Sequence, residues 1–284
     1  MPEVQRPDGA TIHYEVFGRG YPLLLFAPGG VNSEIAFWSN SAVNPIRDFA
    51  GEFMVIGMDQ RHAGRSPAPA AAFSYDLAAA DQLAVLDDLG IERAHVMGGC
   101  IGVAYNLRII QAAPGRISAA VCQDPVGVDA STSLRVFQEM FASTLALART
   151  KGVEAVVEAA MTGVWFVENN AAGPFQRRIH DDPAFRAQIL AMSDAEYIAL
   201  IEDFVAGIWP PDEPLFSVTE EWLETCPAPL LVLPGSDPFH PTGISRRICE
   251  LAPRAECLDV DCRSPVKLRG TIDAIREFLR AHAA

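Results

Sequence analysis

The sequence predicts an α/β fold: a mostly parallel sheet flanked by helices, with a block of helices inserted late in the chain. Three observations carry this expectation. Residues 94–107 read Ala-His-Val-Met-Gly-Gly-Cys-Ile-Gly-Val-Ala-Tyr-Asn-Leu, an apolar run, a glycine-framed cysteine and a second apolar run of helix-favouring residues. Leu23 to Ala27 is continuously apolar, as suits a strand buried on both faces of a parallel sheet. From about Gly127 to Glu224 the pattern is helical, and no parallel-strand signal returns until Pro229.

The elements follow in order. Residues 10–17, Ala-Thr-Ile-His-Tyr-Glu-Val-Phe, alternate in polarity like a half-exposed edge strand, and Gly18 to Pro22 turns the chain. The buried strand Leu23–Ala27 ends in Pro28-Gly29-Gly30, and a loop with Asn32, Ser33 and Glu34 follows, placed either to touch a ligand or to cap a helix. Phe53–Met58 is the next strand, leading into Asp59-Gln60-Arg61-His62-Ala63-Gly64-Arg65-Ser66. Tyr75–Leu89 is an amphipathic helix closed by Gly90.

After the cysteine turn, Ile117–Gln123 is a strand that leaves Asp124 at its carboxyl end, the edge where open parallel sheets bind ligands. Asp124 is a candidate acid there, or the first residue of an Asp-Pro turn. Helices are expected over Leu134–Ala148, Val153–Met161, Pro183–Met192 and Ala195–Ile208. The core resumes with strand Pro229–Leu233, helix Ile244–Leu251, strand Ala255–Val260 and helix Thr271–Ala281. The division is thus 1–126 core, 127–225 helical cap and 226–284 core.

Composition bounds the function. A length of 284 residues suits one large α/β domain or a core with an insertion, and a hydrophobic fraction of 50% supplies a sizeable interior. The net charge of −14 repels nucleic acid and anionic membrane surfaces, so neither is an expected partner. The N-terminus lacks an apolar signal-peptide core and no run is long and apolar enough to span a bilayer, so a soluble, cytoplasmic protein is expected. The six cysteines show no Cys-x-x-Cys pairing and read as reduced thiols. The scattered histidines lack paired ligand spacing, and neither a metal nor an organic cofactor is implied. A small-molecule substrate is the expected partner, with a homodimer possible.

The small-x-Cys-x-small pattern of Gly98, Cys100 and Gly102 resembles the nucleophile elbow of the α/β-hydrolase superfamily, with Cys where Ser is commoner. The resemblance extends along the chain and implies an eight-stranded, mostly parallel sheet with a helical cap inserted between the sixth and seventh core strands. It implies an oxyanion hole from the backbone N–H of Gly30 or Val31 and of Ile101, and a structural role for the Asp59–Ser66 loop, in which His62 replaces the usual glycine. Asp237, in Gly235-Ser236-Asp237-Pro238-Phe239-His240, matches the family's catalytic acid by position. Cap aromatics including Phe137, Phe141, Trp165, Phe166 and Trp209 are candidates to roof the pocket, though most should simply pack the cap.

One departure matters for the chemistry. The family places its catalytic histidine after the last strand, whereas this chain has Asp261-Cys262-Arg263-Ser264-Pro265 there and no later histidine before His282. Three repairs are open: His240 acts as the base, with Asp124 or Asp237 fixing its tautomer; His62 reaches in from the opposite side; or Cys100 works without a base and Arg263 binds an anionic group. Cysteine eases any of these, because a thiol ionises near ~8.5 and a helix N-terminus or an imidazolium lowers that further. The expected activity is therefore cysteine-dependent acyl hydrolysis or acyl transfer on an ester, lactone or thioester. A non-hydrolytic lyase, isomerase or cyclase, or a ligand-binding protein with a disabled site, are the alternatives.

Overall fold

The computed structural model describes residues 2–162, 173–258 and 265–283. Its strands are β1 (Glu3–Gln5), β2 (Thr11–Phe17), β3 (Pro22–Phe26), β4 (Met54–Met58), β5 (Ala94–Gly99), β6 (Ile117–Gln123), β7 (Leu230–Leu233) and β8 (Ala255–Cys257). They form one eight-stranded sheet in the order β1-β2-β4-β3-β5-β6-β7-β8. The pairs β1·β2 and β2·β4 are antiparallel, and every pair from β4 to β8 is parallel. The central strands β5 and β6 are buried at every residue, which is why their sequences are apolar without alternation.

The expected edge strand at 10–17 is not at the edge. Glu3–Gln5 pairs with its outer side, Glu3 opposite His13 and Gln5 opposite Thr11, and Ile12, His13 and Tyr14 are consecutively buried. The three-residue β1 is too short and polar to announce itself by periodicity, so its partner looked unpaired.

Helices α1 (Pro45–Phe49), α2 (Tyr75–Asp88) and α3 (Ile101–Ala112) connect the first strands. Between β6 and β7 lie α4 (Leu134–Gln138), α5 (Ala142–Thr162), α6 (Gln176–Asp181), α7 (Pro183–Leu190), α8 (Asp194–Ile208) and α9 (Glu220–Leu223), with no strand among the described residues of that stretch. The helices expected at 134–148 and 153–161 are divided differently. A 3₁₀ turn at Glu139–Phe141 ends α4, and α5 runs through Gly152, whose φ of 82° breaks the helix. The Asp194 carboxylate accepts from the Val153 N–H at 2.7 Å and restarts it. After β7 come α10 (Thr242–Leu251) and α11 (Pro265–Ala281).

The sheet separates two apolar layers: one holds Phe26, Val96, Ile101 and the helices after β6, the other Leu25, Met97, Val121 and Phe278. The cysteines are corrected in part. Cys249 of α10 and Cys257 of β8 form a disulfide, while Cys100, Cys122 and Cys226 are free. Spacing alone hid the pair: the two cysteines stand eight positions apart, and the α10–β8 turn folds them together. Among the described residues, no helix is long and apolar enough to cross a membrane.

Candidate active site

Cys100 sits where β5 ends and α3 begins, with φ 57° and ψ −122°. Such a left-handed backbone is strained for a residue with a Cβ. The strain is imposed by packing. A Cβ on Gly98 would lie 2.1 Å from the Gly102 carbonyl oxygen, and one on Gly102 would lie 2.1 Å from the Phe26 carbonyl oxygen, so strand, turn and helix can approach only as glycines. The Cys100 N–H donates to the Gln123 carbonyl oxygen at 3.0 Å, which anchors the turn to β6. Cys100 is partly exposed.

The loop after β7 brings in His240. Asp237 Oδ1 accepts from the backbone N–H of Phe239 at 3.0 Å and lies 2.8 Å from His240 Nδ1. The His240 N–H also donates to the Asp237 carbonyl oxygen at 3.0 Å, closing a tight turn that fixes the ring beside its carboxylate. Burial disfavours a charged His240, but hydrogen bonding and charge from the Cys100 sulfur, and then from Asp237, outweigh burial and raise its pKa to about 9. His240 Nε2 is buried and makes no hydrogen bond within the protein.

Cys100 and His240 line a common cavity of about 280 Å³ with Gln123, Asp124, Asn40 and Ser41. Gly99 and Pro28 complete its wall near the elbow. Asp124, with φ 47°, lines the cavity as expected, and Asp237 is the carboxylate 2.8 Å from the imidazole at Nδ1. Gln123, Asn40 and Ser41 were not anticipated. The available signal was a polar glutamine closing the otherwise apolar strand Ile117–Cys122, next to Asp124 at the ligand-binding edge.

Gly29 and Gly30 both adopt positive φ, 123° and 59°, and Gly30 opens a 3₁₀ turn through Asn32. A Cβ on Gly30 would meet nothing nearer than Met140 Cε at 4.0 Å, although the residue is buried. Ile101 is the first residue of α3, and N–H groups at a helix start have no intrahelical acceptor. The expected oxyanion donors, Gly30 or Val31 and Ile101, thus stand at the starts of a 3₁₀ turn and of α3, and none of the three lines the Cys100 cavity.

Other expected site residues fall elsewhere. Ser33 is fully buried and donates from Oγ to the Ala27 carbonyl oxygen at 2.6 Å, tying down the loop instead of facing the cavity. Asn32 is half-buried, with Nδ2 unpartnered. His62 lines a separate cleft with Arg177 and Arg178 and packs edge-on to Phe175 at 5.2 Å. Burial, with the nearby Arg61 and Arg178 charges, pushes its pKa down to about 3. The loop around it is structural, as expected: Asp59 accepts from the Ile35 and Arg65 N–H groups at 2.8 and 2.9 Å. Phe137, Phe141 and Trp209 are buried, with Phe137 and Trp209 4.9 Å apart, and none lines the cavity. Trp165, Phe166, Arg263 and Cys262 lie outside the described residues.

The sequence from 22 to 263 matches the family model of the alpha/beta hydrolase fold, and the chain belongs to that family. It is 35% identical over 117 residues to a RutD protein of Azorhizobium caulinodans, provisionally named a carbamate hydrolase; the match covers 41% of this chain and 42% of that one. A RutD protein of Variovorax paradoxus with the same provisional name is 31% identical over 150 residues, 52% of this chain and 53% of that one. The chain thus spans about half the length of these curated relatives, or somewhat less. In fold it is similar to a meta-cleavage product hydrolase of Pseudomonas fluorescens IP01, with a TM-score of 0.64 at 18% identity, covering 99% of this chain and 98% of that one.

Proposed function

We propose that the chain is a cysteine-dependent acyl hydrolase or acyl transferase that forms an acyl-Cys100 intermediate from an ester, lactone or thioester. The observation that carries the reading is the array Cys100–His240–Asp237: one imidazole, held at Nδ1 by a carboxylate 2.8 Å away, with its pKa raised to about 9 by the sulfur and that carboxylate. An imidazolium beside a sulfur is the charge pattern that activates cysteine as a nucleophile.

In this reading the Cys100 thiolate attacks the carbonyl carbon, forming a C–S bond, and the Gly30 and Ile101 N–H groups hold the oxyanion. On collapse the bond to the leaving oxygen or sulfur breaks, and the leaving atom takes the proton from His240. The neutral imidazole then removes a proton from water or an acceptor alcohol, whose oxygen attacks the acyl carbon and expels the thiolate. Asp237 keeps the ring in the tautomer that presents Nε2 throughout. The helices between β6 and β7 form the cap, residues 127–225. The carbamate hydrolysis in the RutD names involves attack on the same kind of carbonyl and falls within this scheme.

Intact-mass spectrometry after exposure to activated esters and thioesters tests it. The expected result is one labile acyl adduct on the wild type, none on Cys100→Ala, and slow formation on His240→Ala. An unmodified Cys100 under conditions where the same esters bind would refute the acyl-enzyme.

A further inference from the structure

The reading of Cys100 as the acylated residue says nothing about which acyl group enters; Gln123 does. Its side chain is 5% exposed, and Oε1 is a buried acceptor with no hydrogen-bond partner. An acceptor so placed forgoes the hydrogen bonds it would make in water, a penalty seldom retained without a use. Gln123 is also the immediate neighbour of the elbow: Gly99 pairs with it in register, and its carbonyl oxygen holds the Cys100 N–H at 3.0 Å. Both residues line the 280 Å³ cavity, whose other walls include Asn40, Ser41, Asp124 and His240. A cavity of that size, with Asn40, Ser41, Gln123 and Asp124 in its wall, suits a short acyl group that can hydrogen-bond.

We propose, resting on the acyl-Cys100 reading, that Gln123 is a specificity-determining residue whose side-chain oxygen accepts a hydrogen bond from the acyl group itself. The substrates are then acyl compounds with an O–H or N–H donor on the atom next to the carbonyl: α-hydroxyacyl, α-amidoacyl or carbamoyl groups. Strand geometry limits the reach. A residue one strand away from the nucleophile meets atoms adjoining the scissile carbonyl, because neighbouring strands lie ~4.8 Å apart.

Two arms test this. In the first, binding of glycolamide and of its nearly isosteric analogue propionamide is measured by ligand-observed NMR on wild type, Cys100→Ala and Gln123→Met. The expected result is a preference for glycolamide of about tenfold or more, retained in Cys100→Ala and lost in Gln123→Met, which keeps side-chain length and removes the amide. Equal binding of the two amides to wild type and Cys100→Ala overturns the assignment, whatever Cys100 does. In the second arm, acylation by p-nitrophenyl glycolate and p-nitrophenyl propionate is followed by intact mass. Gln123→Met should slow the glycolyl transfer while sparing the propionyl one; an equal loss on both would make Gln123 merely structural. Absence of any adduct with the glycolamide preference intact would instead fault the acyl-enzyme and leave the binding role of Gln123 standing.

Discussion

His62 and His240 are both nearly enclosed and both sit in loops leaving the sheet at the ends of parallel strands, yet their charge states diverge. His62 falls to about 3 and His240 rises to about 9, from the same ordinary value of 6.5. Burial pushes both in the same direction, toward the neutral form. The difference lies in neighbours: Phe175, Phe204 and the charges of Arg61 and Arg178 surround His62, while a thiol and a carboxylate act on His240. A buried histidine is therefore held neutral or charged according to what it touches.

The sharpest way to break this contrast is Cys100→Ala. It should abolish acyl-adduct formation in intact-mass spectra and drop the His240 pKa below about 9, because the leading favourable partner is gone; an imidazole NMR titration reads the shift. Next, His240→Ala should slow acylation by about 10²–10⁴-fold, the usual contribution of a positioned acid–base group, whereas His62→Ala should stay within a few fold of wild type. A comparable loss from both substitutions would erase the distinction. Asp237→Asn should lower the His240 pKa less than Cys100→Ala does, and NMR titration of the two variants side by side ranks the contributions.

The smallest effect concerns stability. His62 has a folded pKa below its unfolded one, so the stability it contributes is present above pH 6.5 and is lost as pH falls toward about 3. The slope from this one group is at most ~1.4 kcal/mol per pH unit. His240 has the opposite sign: its contribution is complete below pH 6.5 and fades as pH rises through about 9. Denaturant melts of His62→Gln against wild type from pH 4 to 7 should show a shallower acid dependence in the variant, and equal slopes would contradict the buried neutral ring.

Much of this site was legible before folding. Gly98, Cys100 and Gly102 announced the elbow because close strand–helix approach leaves no room for a Cβ, a constraint that spacing expresses directly. His240 and Asp237 were readable as candidates because they stand three positions apart in one loop, but that Asp237 lies 2.8 Å from the ring at Nδ1 is visible only in the fold. Ser33, by contrast, looked available in a polar loop and is spent on the Ala27 carbonyl. Likewise β1 and the Cys249–Cys257 bond depend on pairings set by tertiary packing, to which periodicity is blind.

The central claim is that His240, charged beside Cys100, drives acylation. It is met most directly by the pH dependence of the p-nitrophenolate burst, compared between wild type and His240→Ala with p-nitrophenyl acetate in excess. The account predicts a wild-type burst rate that falls as pH rises through about 9, where His240 loses its proton, and a slower burst without that falling limb in His240→Ala. The same falling limb in both proteins would contradict it and remove His240 from the reaction.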